Sequence, residues 1–258
     1  MKPLAIVLLA LMTVACTTSP TGRSQLLLVS ANEMDKMGAA AFAKMKKNAE
    51  IEKAVATNDY VDCVANAVTA VLAEDQQRDW EVVVFKDDSA NAFALPGNKI
   101  GVHTGILTVA NNQDQLAAII GHEVGHVLAQ HGNERMSIGY ASQASQQLLG
   151  AVFEGTDQLM AVLGAGSKYG VQLPYSRVHE IEADLMGLKL MATAGFDPRA
   201  SVMLWHNMAA NSDGAPPEIM STHPSNKNRI KGLQENMAAA VDVYNRARQQ
   251  GKTPHCTP

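Results

Sequence analysis

The chain is poor in aromatic residues, which make up 5 % of its 258 positions. Small residues and methionines are common instead. That composition predicts helices packed closely through Ala and Gly, with Met filling irregular gaps. A basic stripe is also lacking. The formal net charge is −4, and the densest cationic cluster, Lys44, Lys46 and Lys47, fits the solvated face of a helix. Nucleic acid is therefore excluded as a partner. Past the first residues there is no apolar run of roughly 18 residues, which argues against a chain embedded in a membrane. Disorder is excluded by a hydrophobic fraction of 47 %, enough for a real core at this length.

Cysteine occurs three times, and each copy has its own reading. In "MKPLAIVLLALMTVACTTSP" a single early cation, Lys2, precedes an apolar stretch from Leu4 to Val14 and then Ala15-Cys16. This is a secretory signal in length and order, too short for a mature anchor. The cysteine after a small residue resembles a bacterial lipoprotein signal, in which the thiol is lipidated after cleavage. An ordinary signal peptide cut nearby is the plainer alternative. Thr17 follows the cysteine, where an aspartate in such lipoproteins suggests inner-membrane retention. The expected location is the periplasmic side of the envelope, anchored to the outer membrane through Cys16. Cys63 and Cys256 remain. In an oxidising compartment they can bridge, or Cys63 can be a small core residue and both thiols stay free.

The pattern predicts a signal over 1–15, a tether over 16–30, one domain over 31–250 and a polar tail over 251–258. Ser30 and Glu33 form a capping box that opens a helix to about Asn48. A second helix is expected over Asp59–Glu74. Then "WEVVVF" (80–85), "NAFALPG" (91–97) and "KIGVHTGIL" (99–107) read as strands of one antiparallel sheet. Asn112 caps a further helix that Gly132 can end. Residues 133–173 read as a helical hairpin or a mobile lid. Helices are expected again over Ser176–Ala194, from Pro198, and over Ser225–Gln249. The fold class is α+β, mainly helical, with a small antiparallel sheet of about three strands.

The chemistry concentrates in "IIGHEVGHVLAQHG" (119–132). His122 and His126 are one turn apart, so both rings project from one helix face and can converge on one tetrahedral ion. Their apolar neighbours imply burial, and two unpaired buried imidazoles are costly. Glu123 is about 100° around the helix from His122, unable to bind the same ion but able to reach a water there. A third protein ligand is needed. The metzincin spacing is excluded, because Gly132 and Ala129 stand where it requires histidine and glycine. His131, about 140° from His126, reads as a structural residue near the helix C-cap. In "SRVHEIEADLMG" (176–187), Val178, Ile181, Leu185 and Leu188 form the expected core stripe. Glu180 and Asp184 point together from a flanking face, and Glu182, about 200° from Glu180, does not join them. Glu180 would ligate, and Asp184 would accept the free ring N–H of a ligating histidine. The plainer reading of that pair is a solvated acidic face.

"GHEVGH" followed by "SRVHEIEAD" resembles the HtpX- and BepA-like zinc endopeptidases, relatives of the CAAX prenyl endopeptidase. Ser176, Arg177, Glu180, Ala183 and Asp184 match the family segment SRxxExxAD. "TGRSQLLLVS", "NAFALPGNKIGVHTGIL" and "STHPSNKNRI" look like further family segments, with Asn98 where a second glycine is common. The resemblance implies a zincin-like fold and one zinc ion per chain, held by His122, His126 and Glu180, with Glu123 as general base. It implies that the strand Asn91, Ala92, Phe93, Ala94, Leu95 takes substrate as an added strand. His223 would stabilise the oxyanion or occupy the zinc's open position; as a bare residue it reads as a turn before Pro224. The implied substrates are unfolded or misassembled envelope proteins, in quality control. The rival reading is a chaperone or assembly factor for outer-membrane proteins, with a zinc site that is structural or rarely used.

Overall fold

A computed structural model describes residues 16–77, 79–152, 175–210, 219–223 and 227–257. The signal expected over 1–15 and the second half of the 133–173 segment, 153–173, lie outside the described residues. The segment expected to be a tether is folded. β1 (Cys16–Thr18) and β2 (Ser24–Leu26) pair antiparallel. The chain after them docks on a helix: Leu28 N–H donates to Ser137 Oγ at 2.8 Å, and Asn133 donates to the Val29 carbonyl at 2.8 Å.

Ser30 caps α1 (Ala31–Asn48), its hydroxyl accepting from the Glu33 amide at 3.3 Å. α2 (Val55–Thr69) lies a few residues earlier than expected. Its start is drawn forward by Asn58, which donates to the Glu52 and Ala54 carbonyls, and its end is marked by Thr69, whose hydroxyl bonds back to Ala65.

The sheet comprises β3 (Glu81–Phe85), β4 (Ala92–Leu95) and β5 (Lys99–His103) in the order β3-β5-β4. It is mixed, which corrects the antiparallel expectation: β4 runs antiparallel to β5, but β3 runs parallel to it. The reason is burial. Ile100, Gly101 and Val102 are all buried, so β5 takes the centre and the other strands flank it. Gly101 is required there, since a Cβ would lie 2.2 Å from the Phe93 ring. β4 is left as an edge, paired on one side only among the described strands.

Asn112 caps α3 (Gln113–Leu128), accepting from the Gln115 amide at 3.0 Å. The helix stops at Leu128 rather than Gly132, because Gln130 adopts a left-handed backbone, φ 54°. α4 (His131–Val152) then begins. Ser176 caps α5 (Arg177–Ala194), which Gly195 ends at φ 92°. α6 (Ala200–Ala210), the short α7 (Ile219–Thr222) and α8 (Lys227–Gln249) follow.

The expected apolar stripe on α5 is corrected. Val178 is 53 % exposed, and Ile181 and Leu185 are only partly buried. The buried face carries Glu180, Ala183, Asp184, Gly187, Leu188 and Met191. α5 is polar where it meets α3, because Glu180 and Asp184 pack there against His122. The approach is close. A Cβ on Gly187 would lie 2.7 Å from the His122 amide nitrogen, and one on Gly125 would lie 3.0 Å from the Ala183 carbonyl oxygen. Gly125 of "GHEVGH" and Gly187 on α5 thus let the two helices come near enough for the α5 carboxylates to reach both histidines.

The C-terminal residues are docked on the domain. A disulfide joins Cys63 on α2 to Cys256, and the Cys256 amide donates to Gln113 Oε1 at 2.8 Å.

Candidate metal centre

His122 and His126 project from one face of α3, with Nε2 atoms 3.0 Å apart. Glu180 comes from α5, its Oε2 3.5 Å from His122 Nε2 and its Oε1 3.5 Å from His126 Nε2. His223, just past α7, enters the same cluster. Its Nδ1 lies 3.2 Å from His122 Nε2 and 3.1 Å from Glu180 Oε1. All four side chains are buried, and each offers one atom within 4.8 Å of the others.

The surrounding charges hold this donor set in place. Asp184 Oδ1 accepts from His122 Nδ1–H at 3.0 Å, which fixes that ring. Arg229 grips Asp184 with two parallel hydrogen bonds, Nε to Oδ2 at 2.7 Å and Nη2 to Oδ1 at 2.6 Å. Its Nη1 lies 2.6 Å from Glu180 Oε2, and its guanidinium sits 4.2 Å over the Trp205 ring. Burial pushes the Glu180 carboxyl up, but hydrogen bonds with His122 and His223, and the nearby positive charges, hold it far below the usual carboxylate range. Burial likewise pushes Asp184 up, and Arg229 outweighs it.

Does this set fit a metal ion? Burial pushes the His122 imidazole down, yet hydrogen bonds to Asp184 and Glu180 bring it up to about 9. Two imidazole nitrogens and a carboxylate are the donor set of a hydrolytic zinc site. Beside it, Glu123 is 3 % exposed, and its Oε1 has no hydrogen-bond partner among the described residues. A buried carboxylate oxygen left in that state is costly, and such oxygens are found where chemistry needs them. That oxygen lies 3.4 Å from His223 Nε2. The residues fit a zinc ion held by His122, His126 and Glu180, with Glu123 outside the ligand set.

The remaining expected residues fall as follows. Ala92–Leu95 form the edge strand β4, and Asn91 precedes it, its carbonyl accepting from the His103 amide at 3.0 Å. His131 is not a C-cap residue, which corrects the expectation. The wheel that put it about 140° from His126 assumed one continuous helix. Because α3 stops early, His131 opens α4, fully buried, with its Nδ1 2.9 Å from His126 Nδ1. Glu182 does stay out of the cluster, but it too is buried, 3.1 Å from His131 Nε2.

Two neighbours had no role in the sequence reading. Arg229 lies 45 positions from its partner Asp184, beyond any local pattern. Tyr175 places its ring centroid 4.0 Å from that of His126, with the Arg135 guanidinium 4.4 Å from the tyrosine ring. Its position one residue before "SR" was the only available signal.

Comparison with known proteins agrees with this geometry. The mitochondrial metalloendopeptidase OMA1 of Schizosaccharomyces pombe is 38 % identical over 181 residues, covering 69 % of this chain and 52 % of that protein. OMA1 of Arabidopsis thaliana is 38 % identical over 194 residues, 74 % of this chain and 38 % of that protein. The beta-barrel assembly-enhancing protease of Yersinia pestis is 25 % identical over 253 residues, 92 % of this chain and 48 % of that protein. The chain spans about half the length of these relatives or less. Residues 55–237 match Peptidase family M48, a stretch that contains every member of the histidine–glutamate cluster, and the chain belongs to that family.

Proposed function

We propose that this chain is a zinc-dependent endopeptidase that hydrolyses peptide bonds of bacterial envelope proteins in quality control. One observation carries the reading: His122, His126 and Glu180 lie in one cluster, with the buried carboxylate of Glu123 beside them, its Oε1 without a hydrogen-bond partner among the described residues. Zinc, when bound, acidifies a water and polarises the scissile carbonyl. Glu123 accepts the proton of the attacking water and hands it to the leaving amine. Arg229 and Asp184 keep the His122 ring and the Glu180 carboxylate in register throughout.

Substrate enters as an added strand along the open edge of β4, where backbone hydrogen bonds give affinity with little sequence preference. Next to that edge a cavity of about 340 Å³, lined by Met34, Met37, Leu95, Met136 and His126, suits an apolar side chain. The same reading places the chain on the periplasmic side of the envelope, held to the outer membrane by lipid on Cys16. Among the described residues no helix is long and apolar enough to cross a membrane. The test is metal removal. Dialysis against a chelator should abolish cleavage of a casein-type substrate, and one equivalent of zinc per chain should restore it. Cleavage that persists with less than about a tenth of an equivalent of zinc would overturn the proposal.

His223 would act as a closing ligand to a bound zinc, since its ring stands in one cluster with His122, His126 and Glu180. A turn residue would not be 4 % exposed against Glu180. His223→Ala is therefore expected to raise proteolysis several-fold. An oxyanion-stabilising role predicts the opposite, a loss of about 10²–10³-fold, so the direction of the change in kcat decides between them.

A further inference from the structure

The back of the His126 ring is connected to the N-terminal hairpin by an unbroken chain of hydrogen bonds. His126 Nδ1 lies 2.9 Å from His131 Nδ1, and His131 Nε2 lies 3.1 Å from Glu182 Oε2. Glu182 is held from the far side by the segment between β1 and β2. Thr21 Oγ1 donates to its Oε1 at 2.5 Å, and Arg23 Nε donates to its Oε2 at 2.9 Å. Arg23 is itself fixed by Glu134, with bonds of 2.7 and 2.6 Å. His179 stacks on the His131 ring at 4.3 Å, so that ring cannot turn over freely.

We infer that His131, Glu182 and Arg23 are positioning residues that set the tautomer of His126. A carboxylate only accepts, so His131 Nε2 carries the hydrogen that bonds Glu182. A neutral His131 then has a bare Nδ1, which also only accepts. His126 Nδ1 must therefore carry the hydrogen between the two rings, and His126 Nε2 is left with a free lone pair aimed into the cluster. Thr21 and Arg23 donate to the Glu182 carboxylate from its far side, so it stays an acceptor toward His131. The two histidines of the motif are thus oriented by different devices, His122 by an aspartate two turns along from the motif's partner helix cap, and His126 by a histidine–glutamate–arginine relay. The relay ends in residues that precede the rest of the domain, so the fold of the N-terminal hairpin contributes to metal affinity.

This inference rests on the reading of His126 as a zinc ligand. Its test uses the full chain, selectively ¹⁵N-labelled at histidine. In the chelator-treated parent, long-range ¹H–¹⁵N correlation should show His126 protonated at Nδ1. His131→Leu should give a mixture of tautomers and raise the zinc Kd about 10–100-fold in competition with a chromophoric chelator. His131→Gln, which can accept from His126 and donate to Glu182, should stay within about threefold of the parent, and Arg23→Ala should give a rise of the same sign as His131→Leu. Protonation of His126 at Nε2 in the parent overturns the inference even if His131→Leu does not fold. So does a folded His131→Leu chain with the parent's zinc affinity. A parent that binds no zinc defeats the proposed activity instead, while the tautomer measurement still decides the relay.

Discussion

Glu123→Gln is expected to lower cleavage of a casein-type substrate by about 10²–10⁴-fold, the usual worth of a general base, with zinc content unchanged. The substitution is nearly isosteric and sits at a position that is 3 % exposed. Among the described residues Glu123 Oε1 accepts no hydrogen bond and lies 3.4 Å from His223 Nε2, so the amide removes no hydrogen bond at that oxygen. The proposed zinc donors His122, His126 and Glu180 are separate residues. What the variant lacks is a group able to take a proton from water. A fall in kcat with little change in KM is the signature of an interaction made only in the transition state. Undiminished cleavage would sink the mechanism.

The same variant separates protease from assembly factor. If the chain acts by holding outer-membrane proteins, Glu123→Gln should rescue a deletion strain as well as the parent does. If hydrolysis is the activity, rescue should fail although the protein accumulates normally.

How much of this could be seen in the sequence depends on distance along the chain. The i, i+4 pair His122–His126 and the pair Glu180–Asp184 each lie on one helix, where spacing fixes direction, and the structure brings both pairs to one place. The α+β class followed from where the hydrophobic period changes. Strand direction did not, because three short strands in a row look alike whether the third returns beside the second or slides between the first two. Val178 was misplaced for a different reason. Periodicity assumes one apolar face, whereas α5 buries carboxylates against α3 on one side and Glu182 against the N-terminal hairpin on another. His131 was lost to a helix boundary: a left-handed Gln130 inside "LAQHG" carries no residue signal such as glycine at that position. Arg229 had no local signature at all, since its partners belong to another helix.

Arg229 gives the largest expected effect on stability. It is 2 % exposed and faces two buried carboxylates, Asp184 and Glu180. Taking three charges out of water is expensive, and their mutual geometry offsets that cost only while all are present. Arg229→Met keeps the length and the packing against Trp205 but removes the positive charge. Two carboxylates then remain buried within reach of each other, and breaking such an arrangement costs about 3–5 kcal/mol. For a chain of this size that corresponds to a drop in Tm of roughly 6–20 °C, read by thermal denaturation in chelator. Zinc bound to Glu180 compensates part of the lost charge, so the drop should be smaller in the zinc-loaded protein. The double variant Asp184→Asn/Arg229→Met should be less destabilised than the sum of its parts, by about 1 kcal/mol or more, because the neutral amide no longer needs the cation. A Tm for Arg229→Met within about 2 °C of the parent in chelator would show that water or another cation reaches these carboxylates, and that the arginine is a bystander. The expected result makes it the opposite: the charge that allows Glu180 and Asp184 to be buried, ionised and aimed at the histidines before any metal arrives.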